Sequence, residues 1–364
     1  MRRSVLLAFA IIFTIAAIAV LGVLVMSLSG KVDMKGFFSS GFSNMTSGEL
    51  IKEATFDASA LEELHISVRE HKVEIVLTDD DFVTVRQYDY SGAEPFTAVE
   101  TAASLNIAVD MDFRLAVFNT VIPRLEVSVP RTYVGDVKAA STSGSIVCGE
   151  AIRWNAVMLE SKSGSIRFEN GVKCGAFYAG STSGAIRVGE IISDSGVSLE
   201  ATSGSVRADG RIDCERLKAS ASSGTVSLGD ANAKMWMEIT TRSGSIRTGN
   251  LSAGEYTMSA GSGSIRTESL TGRGTATTSS GSISCAALTV TGDTHLQSSS
   301  GSVKVTMGDV KDLKFETTTG SGGQRTNGYN FTYDRSGKHG SCIVGDGSTG
   351  TLSIKTSSGS IVIS

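Results

Sequence analysis

A chain of 364 residues that is 40% hydrophobic and 19% charged is long enough to bury one large core or two moderate ones. Its net charge of −4 is too small to argue for a nucleic-acid partner or a halophilic surface. Five cysteines, an odd number, leave at least one thiol unpaired or paired between chains.

The chain opens with Arg2 and Arg3 and then an apolar run from Val5 to about Met26. A helix over that run spans a ~30 Å hydrocarbon core at ~1.5 Å per residue. Residues 1–29 therefore read as an N-terminal transmembrane anchor, with the membrane contacting residues 4–28. Ser27-Leu28-Ser29 offers a small-x-small site for cleavage, but the apolar run is longer than a signal peptide usually carries. With so little chain ahead of the run, the expected arrangement is single-pass, with the large C-terminal part outside the cytoplasm.

Residues 30–50 are rich in Gly and Ser around Phe37, Phe38 and Phe42, a flexible tether. Over residues 51–135 short alternating segments such as Ile66-Val68, Val73-Ile75, Val83-Val85 and Leu125-Val127-Val129 are bounded by polar turns, which is strand patterning. This region reads as an irregular β entry or cap.

From residue 136 to 364 one phrase dominates: Ser-Gly-small-Ile/Val, first at Ser143-Gly144-Ser145-Ile146. It returns around Gly164, Gly184, Gly204, Gly224, Gly244, Gly263, Gly281, Gly301 and Gly359, with weaker copies at Gly320 and Gly340, in steps of 18 to 20 residues. A period near twenty is the signature of a solenoid whose coils bury their apolar faces only by stacking. Two places after the glycine stand Ile146, Ile166, Ile186, Val206, Val226 and Ile246, β-branched residues that suit strands. Five and seven before it stand further apolar residues, alternating with polar ones, as in a half-buried strand. No proline occurs after Pro130, consistent with an unbroken ladder. The reading is an all-β, parallel β-solenoid of about twelve coils. At each corner the glycine is expected to take positive φ, and the serine before it either to point inward and stack on its neighbours or to stand solvated at the corner.

Candidate chemistry is sparse. His65, His71, His295 and His339 fall in no triad or metal spacing, and His65 and His71 read as residues of exposed strands or turns. Cys174 and Cys214 sit two coils apart, ~9.5 Å at ~4.8 Å per coil, beyond the ~7 Å that a disulfide allows. The best carboxylate pair is Glu160 and Glu200, outward-facing on either side of Gly180. Their ~9.5 Å backbone separation lies at the edge of inverting-glycosidase spacing, but nothing in their surroundings raises either pKa. The sequence predicts no catalytic residue, cofactor or metal site. One surface feature stands out: Arg167, Arg187, Arg207, Arg247, Arg266 and Lys304 occupy the outward place three after the glycine. Adjacent like charges ~4.8 Å apart repel unless neutralised. Either the acidic corners at Glu169, Glu190, Asp209 and Glu268 do this, or the row meets an anionic envelope polymer or lipid.

The string "RLEVSVPRTYVGDVKAASTSGSI", followed by repeated Ser-Gly phrases, resembles the bacterial "putative adhesin" domain family of unknown function over residues 60–364. The resemblance implies an envelope-associated β-solenoid, often on a membrane-anchored chain, with no catalytic residues. The expected function is thus an extracytoplasmic binding or scaffold protein. The alternatives are a self-assembling structural β-helix resembling bactofilins, and a carbohydrate-active β-helix enzyme. The chain stops at Ile361-Val362-Ile363-Ser364 inside an apolar strand. This predicts either that residues 321–340 fold back over that end or that it is open to self-association through the C-terminal coil.

Overall fold

The computed structural model describes residues 48–110 and 121–364. The anchor expected at 1–29 and most of the tether lie outside the described residues. Among the described residues no helix is long and apolar enough to cross a membrane, and every regular element is a β-strand. The first of these, Glu49–Asp57, takes up the end of the segment read as tether.

Nine coils of roughly twenty residues stack in chain order, from residues 136–148 to residues 288–305. Each coil has a long strand, such as Val172–Ser181, and a short one, such as Ile186–Val188. Like strands of successive coils pair in parallel and in register: Val157, Phe177, Val197 and Leu217 follow one another up one row, and Ile146, Ile166, Ile186 and Val206 up another. The alternation expected from the sequence is what is buried: Ile166, Ile186, Leu199, Val206 and Ile246 have no exposed surface. The long strands also carry a bulge, seen as register shifts between Cys174 and Ala176, Cys214 and Arg216, and Ala233 and Trp236. Such bulges bend a strand, so each coil turns at a place the repeat phrase did not mark.

The corner glycines are required for a different reason from the one expected. None has positive φ; that conformation occurs instead at Gly272, Gly274, Gly350 and a few loop glycines. A Cβ added to Gly164, Gly184, Gly204, Gly224 or Gly244 would instead lie well under 3.0 Å from the carbonyl oxygen of the repeat glycine one coil earlier. Backbone rests directly on backbone along this edge, and only glycine leaves room.

The hydroxyl ladder also uses other residues than the expected ones. The serines before the glycine, such as Ser143, Ser163 and Ser183, are exposed. The inward hydroxyl is three places before the glycine. Thr241 Oγ1 accepts from its own Gly244 N–H at 3.1 Å and donates to Gly224 O of the preceding coil at 2.9 Å. Ser298, Thr356 and Thr319 repeat this clasp. A second row follows the glycine: Ser165, Thr225, Ser264, Ser282 and Ser302 each donate a backbone N–H to the hydroxyl of the coil below.

At both ends the coils are stacked out of chain order. Glu63–Val68 lies between Ser104–Val109 and Asp136–Ser141, and Lys72–Thr78 lies between Arg124–Pro130 and Ile146–Cys148. At the far end Thr351–Thr356 inserts between Ile283–Ser298 and Leu313–Thr319, and Ile361–Ile363 between Val303–Met307 and Gln324–Thr326. The ladder accordingly runs from Gly301 to Gly359 and then to Gly322. Gly320 and Gly340 are not ladder corners, so twelve coils in sequence become nine, followed by two in reversed order. The open C-terminal edge is not there: Ile361 and Ile363 have no exposed surface and pair on both sides. The end is covered by fold-back, through residues 313–344, a wider segment than the expected 321–340. Tyr329, tilted, and Phe331, edge-on, pack against Phe315 at 4.9 and 5.8 Å between ring centroids, closing the apolar cross-section, and His339–Val344 pairs antiparallel with Leu313–Thr319.

Two substitutions separate these contacts. Gly204→Ala should destabilise the chain by about 1–3 kcal/mol through backbone overpacking. Thr241→Val should cost about 1–3 kcal/mol, because it leaves a buried donor or acceptor unpaired. Ser203→Ala, on the exposed side of the same corner, should stay within about 0.5 kcal/mol. Urea unfolding of the three variants measures this ranking.

Candidate functional site

Two surfaces gather side chains that carry chemistry. The first is the basic row. The short strands place only one side chain per coil outward, so parallel register brings Arg167, Arg187 and Arg207 side by side; after Ser227 come Arg247 and Arg266, and after Ser284 comes Lys304. All six expected residues therefore share one line. The reversed end coils extend it, since Val362 follows Lys304 and Arg325 follows Val362. Arg325 was not picked out in the sequence because its coil glycine is Gly322, two places from the phrase at Gly320. Neutralisation is partial. Arg187 Nε lies 2.9 Å from Asp209 Oδ2, and Arg207 holds the other oxygen of the same carboxylate. Partial burial acts to raise the Asp209 pKa, but the hydrogen bond and charge of Arg207, with the charge of Arg187, outweigh it and hold the carboxyl below its usual range. Arg167, Arg247, Arg266 and Lys304 form no ion pair among the described residues. Exposed pairs of this kind are worth only ~0–1 kcal/mol each, so the row is readily available to an external anion.

The second surface is a shallow trough of about 520 Å³ on the long-strand face. Its floor is the row Ser67, Ala140, Glu160, Gly180, Glu200 and Ser220. Glu160 and Glu200 thus flank Gly180 as expected. Tyr178 leans across Gly180, where its hydroxyl occupies the place a Cβ would approach. Burial and then the charges of Glu200 and Glu160 push the Tyr178 hydroxyl up. Lys218 Nζ is 2.8 Å from Glu200 Oε1, and Ser198 Oγ donates to the same oxygen at 2.9 Å. The Lys218 hydrogen bond holds Glu200 below the usual carboxylate range. Glu200 is therefore committed to an ionised, paired state, unsuited to donating a proton. Glu160 makes no hydrogen bond or ion pair among the described residues.

The histidines do not converge. His65 Nε2 is 2.7 Å from Glu63 Oε2, His295 is exposed, and His339 Nδ1 lies 3.2 Å from Thr318 Oγ1. His71 corrects an expectation: it is not an exposed turn residue but is buried with Asp89 and Gln87. Its Nε2 is 2.8 Å from Asp89 Oδ2, and its backbone carbonyl is the surface on which Gly144, the first ladder glycine, rests. All five cysteines are free and buried. Burial pushes the thiols of Cys148, Cys174 and Cys285 up to about 11 and that of Cys214 to about 12, so they act as small apolar side chains. Cys342 lies opposite Phe315 on the antiparallel strand. Among the described residues no group of three or more His, Cys, Asp or Glu side chains is arranged to hold a metal ion.

The family model Toastrack DUF4097 matches residues 61–211 and again residues 194–364. The chain belongs to the Toastrack family. The two matches together run from the coil at Glu63–Val68 to the last strand, so the Toastrack solenoid includes both reversed ends. None of the curated proteins matches the sequence. Among solved structures, a putative cell adhesion protein from Clostridium sporogenes is 10% identical, with 86% of this chain and 98% of that chain covered and a TM-score of 0.16. A putative adhesin from Bacteroides fragilis is 12% identical, with 87% and 98% covered and a TM-score of 0.28. Nothing further rests on these two likenesses.

The buried pair at the start of the Toastrack ladder generates a pH dependence. Burial acts to raise the Asp89 pKa, but the hydrogen bond with His71, the Tyr90 N–H and the His71 charge bring it below the usual value. A depressed carboxylate contributes stability that is full above its unfolded pKa of about 3.9 and is lost as pH falls through the folded value. Asp89→Asn should therefore flatten the loss of stability below about pH 4 while lowering stability at neutral pH. Thermal unfolding of both chains from pH 7 down to pH 2 checks this.

Proposed function

We propose that this chain is a membrane-anchored, extracytoplasmic binding protein that holds an anionic envelope polymer along its basic row. The observation that carries this reading is the in-register line Arg167, Arg187, Arg207, Arg247, Arg266 and Lys304, of which, among the described residues, only Arg187 and Arg207 are paired, both with Asp209. A linear polyanion laid along the stack at ~4.8 Å per coil meets a cation at six of the eight coils from Arg167 to Lys304, with Ser227 and Ser284 at the other two. The apolar run at residues 4–28, preceded by Arg2 and Arg3, supports a single-pass anchor with the solenoid outside.

The two alternatives have less behind them. End-to-end growth of a filament would have to displace the hairpin and aromatic residues that cover the last coils. A glycosidase needs open space between its two carboxyls for the sugar and a water, and the Tyr178 side chain lies over Gly180 between Glu160 and Glu200.

The test compares the full-length chain with its Arg167→Gln/Arg187→Gln/Arg207→Gln variant in co-sedimentation with polyglycerol-phosphate. Wild type should bind at low salt and release as ionic strength rises toward 0.5 M, where the Debye length falls to about 4 Å. The triple variant should bind at least about tenfold more weakly with an unchanged melting temperature. Absence of wild-type binding at low salt would refute the proposal.

A further inference from the structure

The trough differs from the basic row in charge and in shape. Its floor is one residue wide and built of small side chains except for the two glutamates. One wall is the row Lys138, Met158, Tyr178, Ser198 and Lys218, and the other is the corner row that includes Thr142, Lys162, Thr182 and Thr202. From Ser67 to Ser220 it crosses five coil steps, about 24 Å at ~4.8 Å each. Glu160 and Glu200 balance Lys162 and Lys218, and Lys138 is paired with Glu63 at 3.5 Å, so no net charge attracts an anion here.

What the trough does offer is a mixed set of unused groups. Glu160 is an acceptor without a partner, and the Tyr178 hydroxyl forms no hydrogen bond among the described residues. The Thr142, Thr182 and Thr202 hydroxyls are exposed. Met158, 44% exposed, stands beside Tyr178 in the wall, so an apolar edge faces the polar floor. Alternating hydroxyls and C–H faces are the chemistry of a pyranose ring. An extended β-1,4-linked chain also advances by nearly the same distance per sugar as this stack does per coil. Successive sugars of such a chain are turned by about half a revolution, so every second sugar would meet an equivalent floor residue, as Glu160 and Glu200 stand two coils apart.

We propose that the trough over Gly180 is a lengthwise binding site for an uncharged, extended β-linked glycan, with Glu160 accepting sugar hydroxyls and Tyr178 and Met158 packing against ring faces. Tyr178 lies over Gly180 and can move aside, because only the far end of its side chain fills that space. The site is separate from the basic row: it lies on the long strands, whereas the row lies on the short ones.

Isothermal titration of the full-length chain with cellopentaose, and with the α-linked, curved maltopentaose, tests this. Cellopentaose should bind with an affinity unaffected by salt, and maltopentaose should bind at least tenfold more weakly. Glu160→Ala and Tyr178→Ala should each weaken cellopentaose binding about tenfold, the loss of one charge-assisted hydrogen bond or ring contact. Both residues are at the surface, so the melting temperature should hold. The Arg167→Gln/Arg187→Gln/Arg207→Gln variant should bind cellopentaose as wild type does, which separates this site from the proposed polyanion row. No cellopentaose binding, equal binding of both pentasaccharides, or binding indifferent to both trough substitutions would overturn the proposal.

Discussion

Along one edge of this solenoid the backbone of each coil lies against the backbone of the next with no side chain between them. The carbonyl of Gly184 occupies the space where a Cβ of Gly204 would be, and the same holds at Gly164, Gly224 and Gly244. That contact sets the vertical spacing at the corner. The Ser/Thr clasp three residues earlier ties it down by bridging a glycine N–H to the carbonyl one coil below. With the corner pinned, a one-residue slip of any short strand would turn its buried Ile or Val outward. The register that aligns Arg167 with Arg187 and Arg207 is therefore a by-product of the glycine contact, as is the alignment of Glu160, Gly180 and Glu200.

A stack of this kind has two apolar ends that must be covered. The chain solves this by reversing the order of its terminal coils. The first coil is held between the second and third, and the last between the two before it. Antiparallel strands and the Phe315, Tyr329 and Phe331 rings then close the outside; at the far end the short, polar Gln324–Thr326 is left at the edge, which suits protection against edge pairing, whereas at the near end the nine-residue Glu49–Asp57 is the outer strand. The same reversal carries Arg325 into the basic line, so end closure and surface charge are one arrangement.

How much of this was legible depended on whether a feature repeats. Ile146, Ile166 and Ile186 recur at fixed spacing from a glycine, so their burial and the alignment of the arginines could be read directly. The inward hydroxyls were not legible. Position three before the glycine holds Ser161, Ala201, Ala221 or Thr241, a mixture that reads as merely small until the Gly224 carbonyl is seen beside it. Coil order was illegible for a deeper reason. Every Ser-Gly-Ile phrase is an acceptable partner for every other, so the period cannot say that Gly359 rests on Gly301 instead of following residues 313–326. His71 escaped because its partner Asp89 is 18 residues away, on a strand outside the repeat.

The distances along the outward row test the stacking most directly. Spin labels placed in pairs at Arg167, Arg207, Arg266, Lys304 and Arg325, read by pulsed dipolar spectroscopy, should give separations that grow by about 4.8 Å per coil. Arg167 to Arg266 spans five steps, about 24 Å, and Arg207 to Arg325 seven steps, about 34 Å, because Val362 lies between Lys304 and Arg325. Separations that do not grow linearly would contradict the solenoid, and an Arg207 to Arg325 distance of six steps, about 29 Å, would contradict the inserted last coil.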